Sequence, residues 1–213
     1  MRTRESETHG QGRLLGCGIV APVLYIAGDI LMSTRYEGYS YLHQTISELN
    51  AFGAPTRGLS IVLGLGVYVL HIGFGIGIWR AARRRVRLRV VGGVLVGLGL
   101  LSLWAVPFAS MQLRGVEQDP THVVAGGIAV ALLLTAMGAT AVEFTGRLRV
   151  YSIGTIIVML GFGAWAAVDG PAVAEGFFTP WIGVRERISV YSYQLWLMLL
   201  AIYLLSMRRT TSG

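Results

Sequence analysis

The sequence predicts an all-α polytopic membrane protein, a bundle of six transmembrane helices, and three observations carry that reading. First, 54% of the 213 residues are apolar and only 14% are charged, whereas an ordinary soluble domain carries about 25% charged residues. Mean hydropathy is +0.60, so lipid rather than water is the solvent that suits this composition. Second, six stretches reach the roughly 20 mostly apolar residues that a bilayer crossing needs: 14–34, 58–79, 90–111, 122–142, 150–169 and 188–207. Third, every basic residue is arginine, and 18 of them against 11 acids give a net charge of +7. These arginines stand between apolar runs instead of gathering on one polar face, which points to membrane topology and away from nucleic acid.

Taken in order, the polar stretch 1–13 reads as a cytoplasmic tail. The apolar run after it lacks a small-residue cleavage pattern, so it reads as a retained span and not a signal peptide. The single cysteine, Cys17, lies in that run and excludes an intramolecular disulfide or a cysteine-based metal cluster. The second and third spans are joined by an arginine-dense hairpin, Arg80 to Arg89, of the kind short cytoplasmic loops keep. With the N-terminus inside, thirteen arginines fall on the cytoplasmic side, while Arg35, Arg57, Arg114, Arg185 and Arg187 fall outside. Acids run the other way: Glu5, Glu7 and Glu143 lie inside, and the other eight lie outside or near the outer surface. The expected organisation is a plasma-membrane domain over 14–207 with both termini cytoplasmic and a second tail at 208–213. His43 and His122 stand at the outer surface, His71 within the second span and His9 in the tail, so chemistry is expected on the outer face.

Between helices in lipid, close approach depends on small residues. Gly73 and Gly77 in the second span, and Gly93 and Gly97 in the third, have that spacing. They lie inside apolar helices and lack the loop context of a phosphate-cradling motif. Pro22 and Pro107 interrupt the first and third spans and free backbone carbonyls for other partners. The longest outer connection, 35–56, contains Leu42, Ile46 and Leu49 at helical spacing, with Ser40 placed to cap them and Gly53 and Pro55 placed to stop them. This predicts a short interfacial helix, flanked by Tyr36, Tyr39, Tyr41 and Phe52, that covers the bundle. In the sixth span Ser189, Ser192, Tyr193 and Trp196 form a polar stripe that should face the bundle.

The run Ile46-Ser47-Glu48-Leu49-Asn50-Ala51-Phe52-Gly53-Ala54-Pro55-Thr56-Arg57 resembles the signature of DUF 998, a prokaryotic membrane-protein family of unknown function. Asp119-Pro120-Thr121-His122, opening the fourth span, and Gly183-Val184-Arg185-Glu186-Arg187, opening the sixth, look like the same family. The resemblance covers nearly the whole chain and implies a six-span integral membrane protein without an established activity. The Ile-Ser-acid element is also similar to one that follows the first span in eukaryotic membrane proteins of lipid handling.

Asp29 lies roughly 7 Å below the outer end of the first span by helical rise. A carboxylate at that depth marks a functional site or a buried ion pair and needs a partner; Arg57, Arg185, Arg187, His43 and His122 are available. Glu48 and Arg57 border the Gly53–Pro55 turn and can pair across it. His43 and Ser47, four apart, can touch, and with Asp29 they suggest a Ser-His-acid hydrolase, although no nucleophile elbow or oxyanion element accompanies them. Asp119 before Pro120 reads as an N-cap, with His122 beyond it joining a cluster with Asp29 and His43. No ligand spacing such as H-E-x-x-H occurs, so neither metal nor cofactor is expected. His71 is expected to hydrogen-bond across helices, and Arg185 and Arg187 are candidates for anionic headgroup contact.

Together these residues predict an outer-leaflet pocket of Asp29, His43, Glu48, Arg57, His122, Glu186 and Arg187 that takes a membrane lipid or small amphiphile. A membrane-embedded hydrolase or transferase acting on a lipid-like substrate, and a small transporter or accessory subunit, are the other readings. Oligomeric state is left open.

Overall fold

The computed structural model describes residues 2–211, with side chains from 10 to 208. The outer ends of the two expected tails, Met1 and 212–213, lie outside the described residues, as do the side chains of Arg2 to His9. Six helices are long and apolar enough to cross a membrane: α1 (Arg2–Arg35), α2 (Arg57–Ala81), α3 (Val86–Phe108), α4 (Pro120–Glu143), α5 (Arg147–Ala167) and α7 (Ile182–Thr211). A short helix, α6 (Gly170–Ala174), lies between the last two. The fold is therefore the expected six-span helical membrane bundle. Several helices outrun their apolar stretches, α1 reaching back into the polar tail and α7 starting at Ile182, because helix formation continues wherever backbone bonds can still form.

The spans close into a ring in the order α1, α2, α3, α4, α5, α7 and back to α1. The start of α1 meets the end of α7, where a Cβ on Gly12 would lie 3.0 Å from the Arg208 guanidinium. Both termini thus lie at one end of the bundle, with the Arg80–Arg89 hairpin, and the three long loops form the other, loop end. The interior towards the termini is filled by Trp196, Phe74, Ile78, Leu95, Met137 and Leu200. Ser189 and Trp196 of the predicted stripe do face inward: the Ser189 hydroxyl donates to the Met159 carbonyl at 2.8 Å and the Trp196 indole to the Ser152 hydroxyl at 3.0 Å. Outward-facing residues such as Val62, Val69, Val123 and Val150 are apolar and exposed, as a lipid-facing surface requires.

Three of the four predicted packing glycines make close contacts, Gly73 and Gly77 with α1 and Gly93 with the Trp79 ring, and Gly97 does not. A Cβ on Gly97 would meet nothing within 4 Å, and Gly77 packs on Leu14 and Leu15 of α1. The tight crossing of α2 and α3 is made by Gly75 and Gly92, where a Cβ on either would lie 2.7 Å from the other's carbonyl oxygen. Backbone cannot rotate away as a side chain can. Gly92→Ala is therefore expected to cost about 1–3 kcal/mol, read as a lowered melting midpoint in detergent micelles, while Gly97→Ala leaves the midpoint unchanged or raises it. His71 also differs from expectation: its Nδ1 donates to the Val67 carbonyl of its own helix at 2.9 Å, and its ring lies against Tyr68.

Candidate functional site

The loop end is a cross-linked cap with a small core of its own, formed by Ala51, Ala54, Met111, Ala166, Val173 and Ile182. The predicted interfacial helix is reduced to turns over 40–44 and one 3-10 turn, Ser47–Asn50. Competition for carbonyls explains this. Arg187 Nη1 takes the Tyr41 and Gln44 carbonyls at 2.7 and 3.2 Å, the Gly183 amide takes that of Leu42 at 3.1 Å, and the Tyr39 hydroxyl takes that of Thr45 at 2.7 Å. A helix needs these oxygens for its own ladder. Burial pushes the Tyr39 phenol above its ordinary pKa, against the pull of Arg187, which keeps its hydroxyl a donor. Gly53 ends the segment at φ +91°, a left-handed conformation suited to glycine.

Three ion pairs hold the cap. Asp29 and Arg187, 1% and 4% exposed as side chains, pair through Nε at 2.8 Å and Nη2 at 2.9 Å, and the Tyr191 hydroxyl donates to the same carboxylate. Glu48 pairs with Arg114 at 2.9 and 3.1 Å and also accepts from the Thr45 amide at 2.7 Å. Arg114 further donates to the Phe177 carbonyl and the Thr179 hydroxyl, tying three loops together. Arg185 pairs with Asp169 and donates to the Trp165 and Pro180 carbonyls. Glu186, next along, accepts from the Ile46 amide and the Ser47 hydroxyl, fastening the first loop to α7.

Beneath this cap, α1 to α4 enclose a partly open cavity of about 210 Å³. Its roof is polar, with Asp29, Ser47, Asn50, Ser110 and His122, and its lower wall is largely apolar, with Leu24, Leu63, Val67, Leu101, Ala105 and Ala129. At one edge the last carbonyls of α3, left over at any helix end, are used: Asn50 Nδ2 and the Ser110 hydroxyl donate to Val106, and Arg57 donates to Pro107 at 2.8 Å. A cation there also suits the negative end of the helix dipole. Asn50 Oδ1 is buried with no partner among the described residues. At the opposite edge Asp119 caps α4, accepting from the Thr121 amide at 2.6 Å, with Pro120 opening the helix. The Thr121 donors hold the Asp119 carboxyl below its ordinary pKa.

The cavity brings together Asp29, Ser47 and His122, with Arg57, Glu186 and Arg187 bonded to the residues around it. His43 and Glu48 lie elsewhere. His43 Nδ1 accepts from the Trp181 amide at 3.1 Å and its ring lies against Phe178 and Trp181, so the Ser47–His43–Asp29 constellation is not assembled: Ser47 is on Glu186 and Asp29 is on Arg187. The expected Glu48–Arg57 pair is replaced by Glu48–Arg114, and the Arg57 guanidinium is taken up by Asn50, Ser110 and Pro107. Arg185 and Arg187 are buried and turned inward rather than towards headgroups. Sequence reasoning passed over Arg114 and Tyr191. The signal for Arg114 was present, since it is an arginine on the side where arginine is disfavoured.

A family model described as a protein of unknown function (DUF998) matches residues 19–203. No curated protein matches the chain, and no solved structure matches it.

Proposed function

The chain belongs to the DUF998 family of proteins of unknown function, and we propose that it binds a small amphiphile, or one end of a membrane lipid, in the cavity enclosed by α1 to α4. One observation carries this reading: a cavity of about 210 Å³ with a polar roof and a largely apolar lower wall, set beneath a cap that is cross-linked without using the whole roof. Apolar cavities of about 150 Å³ accept a benzene-sized guest, so this one suits a somewhat larger molecule, apolar at one end. The arginine distribution, thirteen against five, supports placing the termini in the cytoplasm, the loop end outside and the cavity in the outer leaflet of the plasma membrane.

Asp29→Asn tests the cavity poorly, because it breaks the pair with Arg187. Ala105→Phe fills the cavity from α3 and leaves every ion pair intact. Gently solubilised wild type is expected to carry an amphiphile detectable by native mass spectrometry with lipidomics, and Ala105→Phe to lose it at an unchanged melting midpoint. Equal lipid content in the two proteins would remove the cavity as a ligand site.

A further inference from the structure

We propose that the cavity selects an uncharged, hydroxyl-headed amphiphile over an anionic or cationic one; this rests on the reading of the cavity as a ligand site. Two cations stand near the roof and neither lines the cavity: Arg187 is paired with Asp29, and Arg57, which has no carboxylate partner among the described residues, is bonded to neutral groups. The Asp29 carboxylate and the Arg187 guanidinium are joined by two hydrogen bonds, and Arg187 spends its remaining donors on carbonyls and Tyr39. Arg57 Nη1 and Nη2 are bonded to Asn50, Ser110 and Pro107. Among the described residues the Nη donors of both guanidiniums next to the roof are thus taken, which leaves none of those N–H groups for a phosphate or carboxylate. The carboxyl without an ion-pair partner among the described residues at this end of the roof, Glu186, lies against Ser47 and disfavours anions further. An anion would leave water with none of these guanidinium Nη donors left to bond it, which is costly. An ammonium head would meet carboxylates that are already satisfied, Asp29 by Arg187 and Tyr191, and Glu186 by Ile46 and Ser47.

The polar groups left over are an imidazole, a phenol and an amide oxygen. His122 Nδ1 lies 3.0 Å from the Ala109 carbonyl oxygen, which only accepts. Nδ1 thus carries a proton, which in the uncharged ring leaves Nε2 as an acceptor, with no donor to it among the described residues. Deeper in the cavity the Tyr25 hydroxyl also has no hydrogen-bond partner among the described residues. Asn50 Oδ1, beside the roof, lacks a donor too. An alcohol suits the two groups that face the cavity: its O–H donates to His122 Nε2, its oxygen can accept, and its chain lies along the apolar wall, while Asn50 Oδ1 is sealed off and takes no part.

The test uses four photoreactive decyl chains, each with a mid-chain diazirine and ending in a hydroxyl, carboxylate, phosphate or ammonium group. The full chain is reconstituted in phosphatidylcholine vesicles and the labelled peptides are mapped by mass spectrometry, normalised to labelling of lipid-facing α5. The alcohol is expected to label cavity peptides of α1 to α4 at least about tenfold more than the three ions, with that excess lost in Ala105→Phe and reduced in His122→Phe. An ion that labels these peptides as strongly as the alcohol, and is blocked by Ala105→Phe, overturns the neutral selection and leaves the cavity as a ligand site. Alcohol labelling that His122→Phe leaves at the wild-type level also overturns it. Labelling by all four probes that Ala105→Phe leaves unchanged overturns both readings.

Discussion

Replacing Arg187 by methionine is expected to destabilise the protein by about 3–5 kcal/mol, the range for removing one partner of a buried ion pair, and by more than Asp29→Asn does. The two changes are unequal because the contacts are unequal. Without Arg187, the Asp29 carboxylate, 1% exposed, keeps the Tyr191 hydroxyl but no cation, and the carbonyls of Tyr41, Gln44 and Gly183 lose a shared donor. Asp29→Asn leaves Arg187 on those carbonyls and on Tyr39, which continue to solvate its charge. Unfolding in mixed micelles measures the first effect. Limited proteolysis within 36–56 measures the second, because that loop is seated by the same guanidinium. If Arg187→Met loses no more than Asp29→Asn, the carbonyl contacts contribute nothing and the loop is held elsewhere.

The spans were legible because bilayer thickness imposes a length that a single sequence displays directly. The Asp119 cap was legible for a similar reason, its chemistry being complete within three residues. Asp29 stood out as needing a partner, but selecting Arg187 from five candidates required α1 and α7 to be placed side by side. The 40–50 segment misled because its helical periodicity is real. Its carbonyls are claimed by Arg187, Gly183 and Tyr39 from distant or loop positions, and periodicity carries no information about such competition. The same limit explains Glu48. Arg57 is its neighbour across the Gly53 turn, yet Arg114 reaches it from another loop and Arg57 is drawn to the carbonyl end of α3.

Of the five arginines on the arginine-poor side, Arg57, Arg114, Arg185 and Arg187 all bind groups from other segments, and only Arg35 is exposed. Positive charge there gains nothing from topology, so its retention follows from tertiary contacts. That side of the molecule is held by guanidiniums because the loops bury too little apolar surface to hold themselves: their apolar cluster is small, and half of it is alanine. Arginine suits the task, since one planar group bridges a carboxylate and several carbonyls at once.

Gly183→Ala is expected to lift the first loop from α7 and open the cavity roof while leaving the spans in place. A Cβ at Gly183 would lie 2.4 Å from the Gln44 carbonyl oxygen and 2.5 Å from that of Tyr41. Both oxygens are also held by Arg187 Nη1, and the Gly183 amide itself bonds to Leu42. Since these are backbone atoms, the loop must move as a unit. Alanine is the better helix former by about 1 kcal/mol, so any loss of stability comes from the contact and not from propensity. The expected net loss is about 1–2 kcal/mol once overpacking is set against that gain. A sharper readout is faster cleavage within 36–56 and loss of alcohol labelling at the cavity peptides of α1 to α4, once the roof formed in part by Ser47 is lifted. Gly97→Ala, made where a Cβ meets nothing within 4 Å, controls for the change of residue type. If Gly183→Ala matches that control in cleavage and labelling, the loop does not depend on its seat on α7.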